Sequence, residues 1–182
     1  MARDAGCLST SRIPWSVTLI KENIMIFITL GTQSCDFTRC LKMVEELLKA
    51  VDIQEPIIAQ TGHTKYKPIG VQCLDFVTEE EYQKYINDAS VVISHAGTGA
   101  LFSSINKGKK VIAVARLQKF GEMIDNHQTE IVKKLNTEGH IIDGTDSILE
   151  AWKKLKDFTP KPCNFKNNIV EEIEKCIDFW IK

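Results

Sequence analysis

Neither sign of charge dominates this sequence, and it lacks any long hydrophobic run. Its 23 lysine and arginine residues face 24 aspartate and glutamate residues, which leaves a formal net charge of -1. A chain without a basic excess has no global field to attract nucleic acid or an anionic membrane. The longest apolar run, residues 24–30, is far too short to cross a bilayer. We therefore expect no nucleic-acid partner and no transmembrane helix, and any phosphate recognition must be local.

The cysteines do not form a recognisable metal or redox motif. They have neither C-x-x-C spacing nor a companion histidine pair, which argues against a zinc site and a redox dithiol. Buried, reduced thiols in a cytosolic protein are the expected state. The sequence also contains no D-x-D motif, so no metal is expected. The six cysteines are Cys7, Cys35, Cys40, Cys73, Cys163 and Cys176.

The length of the chain suits one domain with a sizeable core, since it has 182 residues. Residues 1–24 lack the features of a signal peptide, and we expect them to be an extension outside the fold, disordered or not native, with Met25 as the natural start. The domain then covers residues 25–182. Its last helix, predicted over residues 167–181, has apolar residues at helical spacing for packing on its own domain or, alternatively, for docking to a partner.

Apolar runs of strand length alternate with helical patterns along the chain, which is typical of an α/β sheet. The valine and isoleucine runs are continuous, as in central parallel strands that are covered on both faces. Gly108 and Gly139 follow helical patterns and indicate helix ends. We expect a Rossmann-like, doubly wound parallel sheet. The predicted strands are 24–30, 56–59, 71–73, 91–94, 110–115 and 140–142, and the predicted helices are 37–51, 79–88, 100–107, 126–135, 148–155 and 167–181.

The most informative segment is VVISHAGTGAL, residues 91–101, in which a strand passes into a glycine-bearing loop and then into a helical pattern. Without side chains at Gly97 and Gly99, backbone N–H groups can approach a ligand. The helix that begins near Ala100 directs its positive dipole end at the same point, which favours an anion such as a phosphate. The alternative is that both are turn glycines that serve only the fold.

Two further loops belong to the same edge of the predicted sheet. One holds Gly31 and Thr32 after the first strand, and the other is the polar segment RLQKFGEMIDNHQ, residues 116–128. Ligands of such sheets bind at the carboxyl ends of the strands, where the strand order reverses. Three loops should therefore converge on one rim. The loop with Gly97 and Gly99 and the loop with Gly31 and Thr32 are each followed by a helix N-terminus, and together they can hold one diphosphate.

Together these residues resemble the C-terminal, donor-binding half of the family 28 glycosyltransferases of GT-B architecture, the group that contains the MurG transferase. SHAGTG at residues 94–99 and NHQ at residues 126–128 carry the match, which covers residues 25–155. Closer still is the similarity to the soluble subunits of split transferases, in which one GT-B enzyme is divided over two chains. These are the cytosolic subunit of the eukaryotic N-glycan GlcNAc transferase and its bacterial exopolysaccharide counterparts of the PssE type. The segment over residues 116–122 is more similar to the bacterial proteins.

The resemblance implies a single GT-B half domain of the C-terminal type that binds a UDP-sugar. It places a first loop beside the diphosphate, a backbone and apolar contact at the uracil, the SHAGTG loop at the ribose and phosphates, and two side chains at the donor sugar. The donor-binding residues are, in that order, Gly31, Thr32 and Gln33; Phe76 and Val77; Gly97, Thr98, Gly99 and Ala100; His127 and Gln128. Many relatives place a glutamate eight residues after the SHAG histidine, to hold the ribose hydroxyls, whereas this chain has Ser103.

Several side chains at this rim have more than one interpretation. His95 can shape its loop through a backbone hydrogen bond or act as a weak candidate for the general base. His127 can cap its helix or contact a sugar. Arg116 can pair with Glu122 or Asp125 in a solvated cluster, or point at a phosphate or a partner. Asp125 is also a candidate helix N-cap.

The resemblance implies the donor subunit of a two-component, metal-independent hexosyltransferase, which transfers a hexose or GlcNAc to a lipid-linked acceptor in polysaccharide or glycan biosynthesis. The base and the acceptor would belong to a membrane-anchored partner, which recruits this otherwise cytoplasmic chain to the membrane. No cofactor is expected, and activity would require the partner. The alternatives are an NADP-dependent Rossmann oxidoreductase, with Arg116 at the 2′-phosphate, and a non-catalytic regulatory subunit, supported by Ser103.

Overall fold

The computed structural model describes residues 24–162, which form one six-stranded parallel sheet with helices on both faces. The strands are β1 (Met25–Thr29), β2 (Ile57–Gln60), β3 (Gln72–Leu74), β4 (Ala89–Ser94), β5 (Lys110–Ala113) and β6 (Ile142–Asp143). The helices are α1 (Thr38–Ala50), α2 (Glu79–Asp88), α3 (Thr98–Asn106), α4 (His127–Glu138) and α5 (Ile148–Lys154). A 3₁₀ turn, Gln118–Phe120, lies in the connection between β5 and α4.

The strand order is β3-β2-β1-β4-β5-β6, so the chain builds one half of the sheet outward from β1 and the other half outward from β4. These two central strands are parallel neighbours, and Thr29 at the end of β1 is in register with Ser94 at the end of β4. The connections from β1 and β4 therefore leave in opposite directions and open a crevice above this pair. This order is that of the dinucleotide-binding Rossmann sheet, whose ligands bind at the same switch point.

The continuous apolar strands are buried because both faces of the sheet are covered. All five residues of β1 are buried, with Ile26 and Ile28 packed in the cluster that contains α1 and α5. Phe27 packs on the opposite face, in the cluster that contains residues of α2, α3 and α4. The predicted doubly wound α/β architecture is confirmed, and the reason is that β1 and β4 have no polar face to expose.

The predicted strands and helices within residues 24–162 are all present, with shifts at their ends. Helix α3 begins at Thr98, two residues before the predicted start, because Gly97 already occupies the N-cap position. Strand β5 ends at Ala113 although the buried apolar run continues to Ala115. Gly108 and Gly139 follow α3 and α4 with φ of 66° and 83°, the left-handed conformation expected after a helix.

Two predictions fall on residues outside the described range. The extension over residues 1–24 lies there apart from Ile24, and so does the helix predicted over residues 167–181. Within residues 24–162, no helix combines the length and the hydrophobicity that a membrane span requires.

Candidate functional site

A cavity of about 580 Å³ opens where β1 and β4 end, which is within the usual size range of ligand pockets. Its walls come from the β1–α1 loop, the start of α2, the β4–α3 loop and the start of α4. The structure thus brings the three predicted loops together at one rim. The predicted residues that line the cavity are Gly31, Thr32, Gln33, Val77, His95, Gly97, Thr98, Gly99, Ala100, His127 and Gln128.

Phe76 is the one predicted donor-binding residue that does not line the cavity. Its side chain is 52% exposed and packs edge-to-face on His63, with 5.2 Å between the ring centroids. Its neighbour Val77 does line the cavity, so the β3–α2 connection contributes to the wall as expected. Tyr82 and Glu79 of α2 complete that wall, and they are not among the site residues predicted from the sequence.

The N-terminus of α3 faces the cavity with its backbone N–H groups available. Ala96 has a φ of 63°, which is uncommon for a residue with a side chain, and this turn leads the chain from β4 into the helix. Gly97 at the N-cap has no side chain to accept the first N–H groups, and the N–H of Leu101 donates to Gly97 O at 3.0 Å. The N–H groups of Thr98, Gly99 and Ala100 precede the first helical hydrogen bond. This arrangement attracts an anion.

Two glycines of the cavity have different relationships to the fold. A Cβ on Gly97 would lie 2.9 Å from Cε1 of His95 and closer still to Nε2, so the packing of the loop excludes any larger residue. A Cβ on Gly99 would meet nothing within 4 Å. The packing of the protein therefore does not require glycine at position 99. A ligand that approaches the backbone at this position would require glycine, because a side chain would occupy its space.

His95 lies between the first two loops of the site. Its Nδ1 is 3.1 Å from the carbonyl oxygen of Thr29 at the end of β1, so the backbone hydrogen bond expected for this residue is present. A Cβ on Gly31, which has a φ of 75°, would come within 2.6 Å of His95 Nε2. The imidazole thus sits against the glycines of both loops and fixes the distance between them.

Burial lowers the pKa of His95 to about 4. The ring is therefore neutral at pH 7, and because Nδ1–H donates to Thr29 O, Nε2 carries no proton. A group with so low a pKa is a weak general base at neutral pH, since efficient bases have a pKa near the working pH. The geometry of His95 is that of a residue that positions the loops.

The helix that follows the first loop does not present an open N-terminus. The N–H of Thr38 donates to Asp36 Oδ2 at 3.0 Å, and the N–H of Phe37 donates to Thr64 Oγ1 at 3.0 Å. The first residues of α1 do not line the cavity, so the expectation that both loops direct a helix N-terminus at the diphosphate is wrong for α1. The first loop contributes Gly31, Thr32 and Gln33 to the cavity instead.

Arg116 is neither a solvated residue nor a phosphate ligand. It is only 1% exposed, its Nη2 donates to Leu30 O at 2.8 Å, and its Nη1 donates to Cys35 O at 3.0 Å. The guanidinium also stacks on the ring of Phe37, 4.7 Å from its centroid. The interpretations offered for Arg116 are therefore wrong, because its Nη groups donate to backbone carbonyls inside the protein, including Glu122 O at 3.4 Å from Nη1, and not to a carboxylate or a ligand. Arg116 ties this loop to the β5–α4 connection.

Glu122 pairs with Arg39 of α1, a partner that the sequence did not reveal. Arg39 Nε and Nη2 each lie 2.9 Å from a carboxylate oxygen of Glu122, and Arg39 also donates to the carbonyl oxygens of Ala115 and Thr145 at 2.7 Å each. The Glu122 side chain is only 5% exposed. This bidentate pair anchors the β5–α4 connection, which carries cavity residues, to the body of the sheet.

The start of α4 brings polar side chains to the cavity. Asp125 Oδ1 accepts the N–H of His127 at 3.0 Å, so its carboxylate serves the helix start although Asn126 occupies the N-cap. Gln128 is buried, and its Oε1 accepts the N–H of Arg116 at 3.0 Å. The amide NH₂ of Gln128 is then the end that can donate to a ligand. His127 is exposed, with Nδ1 3.4 Å from Glu130 Oε2.

Comparison with known proteins identifies the family. The model of the glycosyltransferase family 28 C-terminal domain matches residues 25–174. The chain belongs to this family. The match includes every loop of the cavity, so the residues described above are those of a family 28 domain.

Curated relatives of this family 28 domain carry the name UDP-N-acetylglucosamine transferase subunit ALG13. The human protein is 28% identical over 144 residues, which are 75% of this chain and 12% of the relative. The protein from Candida glabrata is 32% identical over 115 residues, or 60% of this chain and 56% of the relative. The chain therefore spans a small part of the human protein and little more than half of the yeast protein.

Solved structures show the same fold. The solution structure of ALG13 superposes with a TM-score of 0.56 at 20% identity and covers 84% of this chain and 95% of that one. The kitacinnamycin glycotransferase superposes with a TM-score of 0.54 at 15% identity, over 72% of this chain and 34% of that one. The chain thus shares its fold with about one third of that glycotransferase.

Ser103 in this family 28 domain does not line the cavity. Its Oγ lies 3.4 Å from Nε2 and 3.5 Å from Oε1 of Gln83 on α2. The second turn of α3 thus contacts α2 through Ser103.

Proposed function

We propose that this protein is the UDP-sugar-binding subunit of a two-component glycosyltransferase that transfers a hexose or GlcNAc to a lipid-linked acceptor. The family match, the names of the curated relatives and a cavity lined by ten of the eleven expected donor-binding residues support this proposal. The sugar itself is set by hydroxyl geometry at several loops, so GlcNAc and other hexoses are both included.

The single observation that carries the proposal is the uncapped N-terminus of α3 with Gly99 at its first turn. The fold accounts for Gly97 through His95, but it places no atom within 4 Å of a Cβ on Gly99. A diphosphate that accepts hydrogen bonds from the amides of residues 98–100 would explain why position 99 is glycine, because the ligand needs the space that a side chain would fill.

The proposed chemistry breaks the bond between the anomeric carbon of the sugar and an oxygen of the diphosphate, and forms a bond between that carbon and the hydroxyl oxygen of the acceptor. Negative charge develops on the departing UDP, and fixed backbone N–H groups at the α3 N-terminus stabilise it without rearrangement. In this proposal, His127 and the NH₂ group of Gln128, which also line the cavity, hold the sugar hydroxyls. The buried hydrogen bond from Arg116 N–H holds Gln128 in that orientation.

The proton of the acceptor hydroxyl requires a base. His95 is poorly suited, since its pKa of about 4 leaves little driving force for proton abstraction. We assign the base to a membrane-anchored partner chain, which faces the cavity from the opposite side and holds the lipid-linked acceptor. In this proposal the chain binds the donor on its own but transfers sugar only in the complex.

A calorimetric titration of the full chain with UDP, UDP-GlcNAc and NADP tests the proposal. We expect saturable binding of UDP and UDP-GlcNAc and no binding of NADP. Binding of NADP alone would favour the oxidoreductase alternative, although Arg116 donates to backbone carbonyls instead of facing the cavity. Absence of both would favour a regulatory subunit. A transfer assay tests whether a partner chain is required. Sugar transfer to a lipid acceptor by the purified chain alone would contradict the two-component mechanism.

A further inference from the structure

An acidic side chain in the cavity has no place in diphosphate binding. Within residues 24–162, two acidic residues line the cavity, Glu79 and Asp125. The carboxylate of Asp125 accepts the N–H of His127 at 3.0 Å and so belongs to the start of α4. Glu79 is different because it is the first residue of α2, and its carboxylate is not used to cap that helix, for which Thr78 and Glu81 form the capping box.

Hydrogen bonds between side chains of α2 and α3 hold the Glu79 carboxylate in place. Gln83, one helical turn later, donates from Nε2 to Glu79 Oε1 at 2.7 Å. The Gln83 amide itself contacts Ser103 Oγ and Lys107 Nζ of the neighbouring helix end. A carboxylate can accept about four hydrogen bonds, so Glu79 retains capacity for a ligand after this one contact.

The chemistry of a carboxylate selects the part of the ligand that it meets. A carboxylate only accepts hydrogen bonds and repels phosphate oxygens, so its partners on a ligand are hydrogen-bond donors such as hydroxyl groups. Glu79 shares its wall with Val77 and Tyr82, whereas His127 and Gln128 come from α4. The apolar and aromatic neighbours suit the nucleoside end of the ligand, and the hydroxyl donors of that end are the 2′-OH and 3′-OH of the ribose.

We propose that Glu79 holds the ribose hydroxyls of the nucleotide and makes the site selective for ribonucleotides over deoxyribonucleotides. This inference rests on the proposed function. It also gives Ser103 a role, since Ser103 Oγ lies 3.4 Å from Nε2 of Gln83, the residue that holds the Glu79 carboxylate.

The test compares the affinities of UDP, 2′-deoxy-UDP and 3′-deoxy-UDP for the full chain. The variants are Glu79→Ala and, as a matched control, Glu80→Ala, which is also exposed and in the first turn of α2 but does not line the cavity. Both changes remove one charge from the same helix start, so their effects on folding should match in thermal unfolding. We expect the wild type and Glu80→Ala to prefer UDP over at least one deoxy analogue by about ten-fold, as one charge-assisted hydrogen bond provides.

In Glu79→Ala this preference should fall to within about two-fold. The affinity for UDP should decrease, while the affinity for the deoxy analogue that the wild type binds less tightly should change little. A full preference retained in Glu79→Ala would overturn the role of Glu79 while UDP binding itself stands. No binding of UDP to the wild type would overturn the proposed function and this inference together, so the two failures are distinguishable.

Discussion

The imidazole of His95 packs directly against the α-carbon of Gly97, two residues later in the chain. A Cβ at position 97 would come within 2.9 Å of His95 Cε1 and nearer to Nε2. Because Nδ1 of the same ring is bonded to Thr29 O, the ring cannot move away without the loss of that hydrogen bond. The two residues therefore fix the path of the loop that leads into α3.

We predict that Gly97→Ala destabilises the protein by about 1–3 kcal/mol, the usual cost of an added group in a packed site. The backbone of Gly97 has a φ of −68°, which alanine adopts freely, so the cost comes from contact with His95 and not from backbone strain. Urea unfolding measures the change. In a His95→Ala background the same substitution should cost less, and equal costs in both backgrounds would show that the contact is not responsible.

Gly99→Ala should weaken UDP binding without destabilising the protein. The new methyl group meets open space, and alanine favours a helix over glycine by up to about 1 kcal/mol, so stability should be unchanged or higher. Affinity for UDP should fall by about ten-fold or more, because the methyl group occupies the space beside the amides. Asn106→Ala, at the far end of the same helix and outside the cavity, is the matched control. Unchanged UDP affinity in Gly99→Ala would contradict the site.

The low pKa of His95 predicts a loss of stability on the acid side of neutral. Burial keeps the folded-state pKa at about 4 against an ordinary value of 6.5. Below pH 6.5 the unfolded chain takes up a proton that the folded chain refuses, so the free energy of unfolding should fall by up to about 1.4 kcal/mol per pH unit down to pH of about 4.

The comparison of His95→Gln with the wild type isolates this effect from the carboxylates, which both proteins share. We expect urea unfolding of His95→Gln to vary less with pH between 6.5 and 4. His127→Gln, a change at an exposed histidine, should keep the wild-type slope. A wild-type slope in His95→Gln would mean that another group is responsible.

Removal of one partner of the buried Arg39–Glu122 pair should be costly. Glu122→Ala leaves Arg39 without its bidentate acceptor and the N–H of Leu117 without the 2.9 Å bond to Glu122 Oε2, and we expect a loss of about 3 kcal/mol. Glu150→Ala, which breaks the exposed pair with Lys153, should cost less than about 1 kcal/mol. Chemical denaturation of both variants checks this order, and similar small losses would show that the buried pair is not a structural anchor.

The sequence was sufficient for much of the fold because its patterns are local. Valine and isoleucine runs and helix-ending glycines such as Gly108 and Gly139 predict strands and helices one by one. The SHAGTG loop and its helix start could be located for the same reason. The strand order had to come from the resemblance and the structure, since the pairing of β1 with β4 joins residues more than sixty positions apart.

The errors at the site arise from partners that no local pattern identifies. The donors of Arg116 bond to the backbone carbonyls of Leu30 and Cys35, and carbonyl positions leave no trace in the sequence. Glu79 looked like one more charge in the acidic start of α2, and only the packing of α2 beside α3 brings it to the cavity. Which groups a polar side chain meets is a tertiary property, which explains why Arg116 was misread and Glu79 was missed.

The most direct test of the central claim is the response of individual backbone amides to UDP in a ¹H–¹⁵N correlation spectrum of the full chain. If the α3 N-terminus binds the diphosphate, the amide signals of Thr98, Gly99 and Ala100 should shift most and saturate together, and pyrophosphate should shift the same signals. Binding of UDP that leaves these three amides unchanged, or no binding even with the partner chain present, would contradict it.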